Sequence, residues 1–135
     1  MTDTCPICYA KMYDCIMTTC DHLFCKKCLL KWCCDYASTC PLCRCRIHRI
    51  STVVENEWYF HPFTEFGVII ELNEKKEVFI DEIICGSQAD SLQIQRSIIK
   101  LIDGIHFTDL NDVSHYVNHK RQHKRACLIQ TTKMH

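Results

Sequence analysis

Eleven of the thirteen cysteines lie within the first 45 residues, and their spacing limits what this chain can fold into more than any other feature. Cys5-Pro6-Ile7-Cys8 is a C-x-x-C pair, Cys20-Asp21-His22 follows eleven residues later, and Cys25-Lys26-Lys27-Cys28 comes next. After another eleven residues stands Cys40-Pro41-Leu42-Cys43. A tight turn across C-x-x-C lets both thiolates reach one ion at about 2.3 Å, as tetrahedral zinc requires. Structural zinc takes four protein ligands, so eight make two closed sites that leave no position for a reactive water.

Disulfides are the competing use of so many cysteines. The count is odd, the cysteines are crowded, and the opening Met-Thr-Asp-Thr-Cys has neither the basic end nor the apolar stretch of a secretory signal. That pattern predicts a reducing compartment, where metal is the expected partner of clustered thiols. The longest apolar runs are about five residues, far from the ~20 that cross a bilayer, so no transmembrane segment is expected. Net charge is +0, which sets up no field towards nucleic acid. The expectation is a cytoplasmic protein, with the nucleus left open. A body of about 45 residues cannot bury enough apolar surface to outweigh its chain entropy. A structural zinc site contributes on the order of 10–16 kcal/mol, so this part is expected to fold only with metal.

From about residue 50 the composition changes, and only Cys85 and Cys127 remain. Val68–Leu72 and Val78–Ile84 are β-branched and aromatic around the polar stretch Asn73–Glu77, which predicts a hairpin. Ile98–Ile102 reads as a strand closed by Asp103-Gly104. Leu110, Val113, Tyr116 and Val117 share a helical face, predicting a helix over 109–119, and Ala126–Thr131 reads as a last strand. The boundary is expected near Arg46–Val54. Cys85 and Cys127 have the strand-like surroundings of buried, inert thiols, and the basic run His119–Arg125 reads as a solvated loop after the helix.

The ligand order Cys, Cys, Cys, His, Cys, Cys, Cys, Cys resembles the RING finger family over the first third of the chain. A PHD finger has its histidine fifth, and a LIM domain needs a cysteine where Lys31 stands. The resemblance implies a cross-braced pairing. Cys5, Cys8, Cys25 and Cys28 would hold one Zn2+, and Cys20, His22, Cys40 and Cys43 the other. Cys15, Cys33, Cys34 and Cys45 are left as small packing residues; Cys45 could replace Cys43 only by giving up the C-x-x-C turn. The resemblance also implies a shallow apolar groove at Ile7, Trp32 and Pro41, with a helix over Lys27–Cys34. This groove would accept a ubiquitin-conjugating enzyme carrying ubiquitin. Arg44, directly after the eighth ligand, stands where the family's linchpin cation bridges ubiquitin and that enzyme. The implied activity is that of a RING-type ubiquitin ligase, a transferase that positions a thioester and forms no covalent intermediate. A non-catalytic, zinc-stabilised adaptor is the alternative.

The second half resembles a PDZ domain over about 64–132. Glu65-Phe66-Gly67-Val68 stands at the position of the Gly-Leu-Gly-Phe loop, Val78–Asp90 resembles the third strand and first short helix, and Ile98–Gly104 resembles the Ile-Leu-x-Val-Asn-Gly run. The implied site adds a partner's C-terminal peptide to the second strand, its carboxylate on the N–H groups of Phe66, Gly67 and Val68. Phe66, Val68, Ile70, Val113 and Tyr116 would line the last-residue pocket, with Asp109 in place of the usual histidine at the helix start. Glu65 in place of the first glycine puts a negative charge near an incoming carboxylate, and Gln95-Arg96 replaces the customary Gly-Asp. The expected fold class is α+β: a cross-braced two-zinc RING over 1–48, then a small PDZ-like β-barrel or sandwich with two helices over 49–135. RING and PDZ together resemble the ligand of Numb protein X type of ligase, in which the second module recruits substrate or fixes location.

Overall fold

The computed structural model describes residues 4–12, 14–50 and 55–133. Residues 51–54, part of the expected boundary, lie outside the described residues. The first elements are a hairpin of β1 (Cys15–Met17) and β2 (Leu23–Cys25), paired with Cys15 opposite Cys25. Phe24, fully buried in the middle of β2, anchors this hairpin to the core. The chain runs directly into helix α1 (Lys26–Asp35), one residue longer at each end than its sequence pattern predicts. Leu29, Cys33 and Cys34 form its buried stripe, at the i, i+4, i+5 spacing of one helical face. No glycine closes α1; instead Trp32 O accepts from the N–H groups of both Tyr36 and Ala37.

The rest of the chain supplies five strands and two helices. In order they are β3 (Glu57–Phe60), β4 (Val68–Leu72), β5 (Val78–Ile83), α2 (Gln88–Ser91), β6 (Ser97–Ile102), α3 (Leu110–Gln122) and β7 (Cys127–Lys133). The strands form one antiparallel sheet in the order β3-β7-β6-β5-β4. The expected hairpin is present: Asn73 Oδ1 accepts from Lys75 N (3.0 Å) and Glu77 N (2.9 Å), fixing the turn between β4 and β5. The core beneath the sheet gathers Phe60, Phe66, Val78, Ile80, Ile99, Ile102, Val113 and Ile129. The molecule is mixed α/β, with a small N-terminal body and a sheet-rich remainder.

Two expectations need correction. Only the end of the basic run is a solvated loop, with His123 and Lys124 exposed in the turn after α3; the helix continues to Gln122, so His119, Lys120 and Arg121 form its last turn, and Lys120 is buried. Propensity alone would release this stretch to solvent, but contact with the N-terminal body holds it. Cys85 is exposed in a turn beyond β5, whereas Cys127 is fully buried, as expected. Burial pushes the Cys127 thiol up to about 12, with Asp103 adding to the shift and Lys120 opposing it, so this thiol is inert. Of the spare cysteines, Cys33 and Cys34 do pack in the core, while Cys15 and Cys45 are exposed.

The two halves are joined by a shared core and by backbone bonds. Tyr59 and Ala126 are buried in the same cluster as Phe24, Leu29, Cys33 and Ile47. Ala126 N donates to Cys33 O (2.8 Å), and Ser38 N donates to Lys124 O (2.7 Å). The Tyr59 hydroxyl meets the Ser38 hydroxyl, which also bonds Ile47 O (2.6 Å). Lys120 donates to Cys34 O and pairs with Asp103 at 2.8 Å. Asp103 in turn accepts from Tyr116 OH (2.6 Å) and Leu128 N (2.7 Å).

Candidate metal centres and recognition groove

The two C-x-x-C turns have the same backbone geometry. Tyr9 N donates to Cys5 O (2.8 Å) and Arg44 N to Cys40 O (2.9 Å); Cys5 N donates to Ala10 O (2.9 Å) and Cys40 N to Cys45 O (2.8 Å). Tyr9 and Arg44, each directly after its pair, both sit at positive φ, 61° and 64°. The two turns thus share one backbone form, although 35 positions apart (5 to 40) in the sequence. Ligand atoms of Cys5, Cys8, Cys25 and Cys28 all lie within 4.8 Å of one another, as do those of Cys20, His22, Cys40 and Cys43. This is the interleaved pairing that the family resemblance implied, with each site drawing ligands from two distant parts of the chain.

The chemistry of the donors fits zinc. Burial raises the Cys5 thiol, but the N–H groups of Cys25, Cys8 and Ile7 outweigh it and bring the group down to about 6. At Cys20 the Thr18 hydroxyl, 2.9 Å away, is the main cause of a fall to about 6. Burial, together with the neighbouring Cys5 and Cys8, pushes Cys25 up to about 11 and Cys28 up to about 12. In each set one thiol is lowered while neighbours are pushed up by burial and by the crowding of like groups, a crowding of charge that a soft divalent ion offsets. The protein carries an N-terminal RING with two cross-braced Cys/His tetrads, consistent with two Zn2+.

Around this frame, Ile7 and Trp32 are half-buried and pack against the N-terminal cluster, while Pro41 is half-buried and Arg44 exposed. The Trp32 indole N–H donates to Thr39 O (3.0 Å), fixing the ring, which stacks on Tyr36 at 4.8 Å between centroids. Tyr36 is 65% exposed and Leu42 55% exposed, so the apolar surface beside these positions is wider than sequence reasoning found. The signal for Tyr36 was its place four residues after Trp32, one helical turn on.

In the second half a cavity of about 260 Å³ opens between β4 and α3, with Phe66, Gly67, Val68, Ile70 and Val113 among its lining residues. Gly67 is obligatory there: its φ is 81°, and a Cβ would come within 1.9 Å of Ser87 Cβ. Two expected groove residues are elsewhere. Asp109 caps α3, accepting from Asn111 N (2.7 Å), and Tyr116 turns to Asp103. The helix is rotated so that Ser114, Val117, Asn118 and Arg121 line the cavity instead, because Tyr116 and Lys120 are held on the junction side by Asp103. Beside the groove, burial first, then His48 and Arg121, holds His61 down at about 4, so it is neutral at physiological pH.

Comparison with known proteins agrees with the metal geometry. Residues 3–44 match the sequence model of the Ring finger domain family. RING finger protein 145 of Xenopus laevis is 43% identical over 65 residues, 47% of this chain and 9% of that protein. Human E3 ubiquitin-protein ligase RNFT2 is 45% identical over 42 residues, 31% of this chain and 9% of its own length. E3 ubiquitin-protein ligase CHFR of Danio rerio is 46% identical over 48 residues, 35% of this chain and 7% of its own. The chain thus spans less than a tenth of each of these relatives, and the likeness is that of the RING. Among the described residues no helix is long and apolar enough to cross a membrane.

Proposed function

We propose that the chain is a RING-type ubiquitin ligase, binding a ubiquitin-charged conjugating enzyme and promoting transfer to a substrate lysine. The observation that carries this reading is the pair of interleaved tetrads, which sets Ile7 and Trp32 on one small body with an exposed aromatic and aliphatic surface beside them. That relatives matching this stretch are named E3 ubiquitin-protein ligases supports it. Ile7, Trp32 and Pro41 receive the conjugating enzyme. Arg44, exposed and directly after the last ligand, bridges to ubiquitin. Catalysis is positioning: restricting the flexible conjugate raises the fraction of time its thioester faces an incoming amine, and needs no protein nucleophile.

In the same reading residues 1–48 are the ligase module and 49–135 a PDZ-like module, which recruits a cytoplasmic substrate through its C-terminal peptide in the groove beside β4. β4 is an edge strand, bonded only to β5, so a peptide can extend the sheet there. Discharge of ubiquitin from a panel of charged conjugating enzymes tests the ligase assignment. The wild type accelerates discharge with at least one, and Ile7→Ala or Arg44→Ala each lowers that rate about tenfold while keeping two zinc ions, the size of effect expected for one interface anchor. A zinc-loaded wild type that accelerates none makes the protein an adaptor.

A further inference from the structure

Arg121 belongs to a run of basic residues, yet it is half-buried, whereas His119, His123 and Lys124 are exposed. Its neighbour Lys120 is locked between Asp103 and Cys34 O, and this contact sets the rotation of the last turn of α3. One residue further round the helix, Arg121 is turned onto the cavity, at the end where Glu65, Phe66 and Gly67 also line it. Its guanidinium carbon stands 6.0 Å from the centre of the Phe66 ring. Its Nε is buried and has no hydrogen-bond partner among the described residues. The ion pairs of the described residues, Arg96 with Asp81 and Lys120 with Asp103, do not include it. The backbone N–H groups of Phe66 and Gly67 are likewise without an acceptor among the described residues, although both residues are buried.

A buried guanidinium N–H that lacks an acceptor carries a desolvation cost that an arriving anion removes. The remaining walls, Val68, Ile70, Val113 and Val117, are aliphatic. The combination suits a ligand with an anionic end and an apolar side chain directly beside it. Resting on the groove reading proposed above, we infer that Arg121 anchors the terminal carboxylate of a partner's C-terminal peptide whose last residue is a large aliphatic or aromatic one. The N–H groups of Phe66 and Gly67 complete the carboxylate's shell. Arg121 supplies the positive charge that this loop lacks, and it offsets the repulsion from Glu65, which is exposed at the same end.

The test uses the full, zinc-loaded chain and fluorescent decapeptide pools ending in Val, Leu, Ile or Phe, each made as the free acid and as the amide. The wild type binds acids about tenfold or more tightly than amides, the discrimination expected of one charge-assisted anchor. Arg121→Gln weakens acid binding by a similar factor and weakens amide binding far less, Arg121→Lys recovers part of the loss, and Glu65→Gln tightens acid binding. Zinc content and melting temperature confirm that each variant is folded. Val117→Trp fills the cavity and abolishes binding of both forms. If Arg121→Gln leaves the acid-to-amide ratio unchanged, the anchor is refuted while the groove stands. If Val117→Trp binds normally, or the wild type binds no pool, the groove reading falls and the anchor with it.

Discussion

Lys120 shows how much one side chain decides in this chain. Its side chain is 7% exposed and that of its partner Asp103 12%, so the pair is desolvated on both sides. The carboxylate also receives Tyr116 OH and Leu128 N, and the ammonium also donates to Cys34 O. Removing one member of such a pair costs more than the pair contributes, because the other charge stays buried and alone. Lys120→Met should therefore lower unfolding free energy by about 3–5 kcal/mol, measured by urea denaturation in excess zinc. Adding Asp103→Asn, which keeps an acceptor for Leu128 N but removes the stranded charge, should recover a good part of that loss. A single variant within 1 kcal/mol of wild type, about the value of an exposed pair, would mean the contact is not closed to water.

At the level of elements, what the sequence reveals depends on how local the cause is. The C-x-x-C turns and the β4–β5 hairpin are legible because their geometry is set within four to ten residues, by knuckle hydrogen bonds and by Asn73. Strand β3 was missed because its four residues are ordered by pairing with β7, some seventy residues on, Trp58 opposite Ile129. The end of α3 was missed for a similar reason, since its last turn is held by residues of the N-terminal body. Tyr116 was placed in the groove because one residue on a helix is a rotation of about 100°, and its bond to Asp103 decides which way it falls. Asp109 was placed there by resemblance, and its carboxylate is used to cap α3. The metal sites connect elements that otherwise share few contacts: β2 and α1 supply Cys25 and Cys28, while the loops on either side supply the other ligands. Metal analysis should find two zinc ions per chain. A strong chelator should remove the helical signal of α1 and the exchange protection of the Tyr9 and Arg44 amides together, since each site on its own contributes on the order of 10–16 kcal/mol. Retention of those protected amides after complete zinc removal would mean the thiols are not what holds this body.

For the whole molecule, the two halves are one cooperative structure rather than modules on a string. Ile47 and Ile50 are buried beside Tyr59, Ala126 and the core of the N-terminal body, so the sheet edge at β3 and β7 closes a core that about 45 residues would otherwise leave open. The bonds from Ala126 to Cys33 and from Ser38 to Lys124 tie the start of β7 to the end of α1 through main-chain atoms, which no rotamer change releases. The groove beside α3 and the zinc body therefore keep a fixed relation; under the proposed function, a substrate in the groove would meet a charged conjugating enzyme from a constant direction. Zinc-saturated protein should accordingly unfold in a single transition, with near-ultraviolet signals and amide exchange of β6 and α1 changing together. Tyr59→Phe, which removes the hydroxyl bonded to Ser38 at the centre of the junction, should lower that transition by about 0.5–1.5 kcal/mol without splitting it. Two separate transitions in the wild type, with α1 melting first, would show that the halves are independent, and the fixed geometry between groove and zinc body would then have no basis.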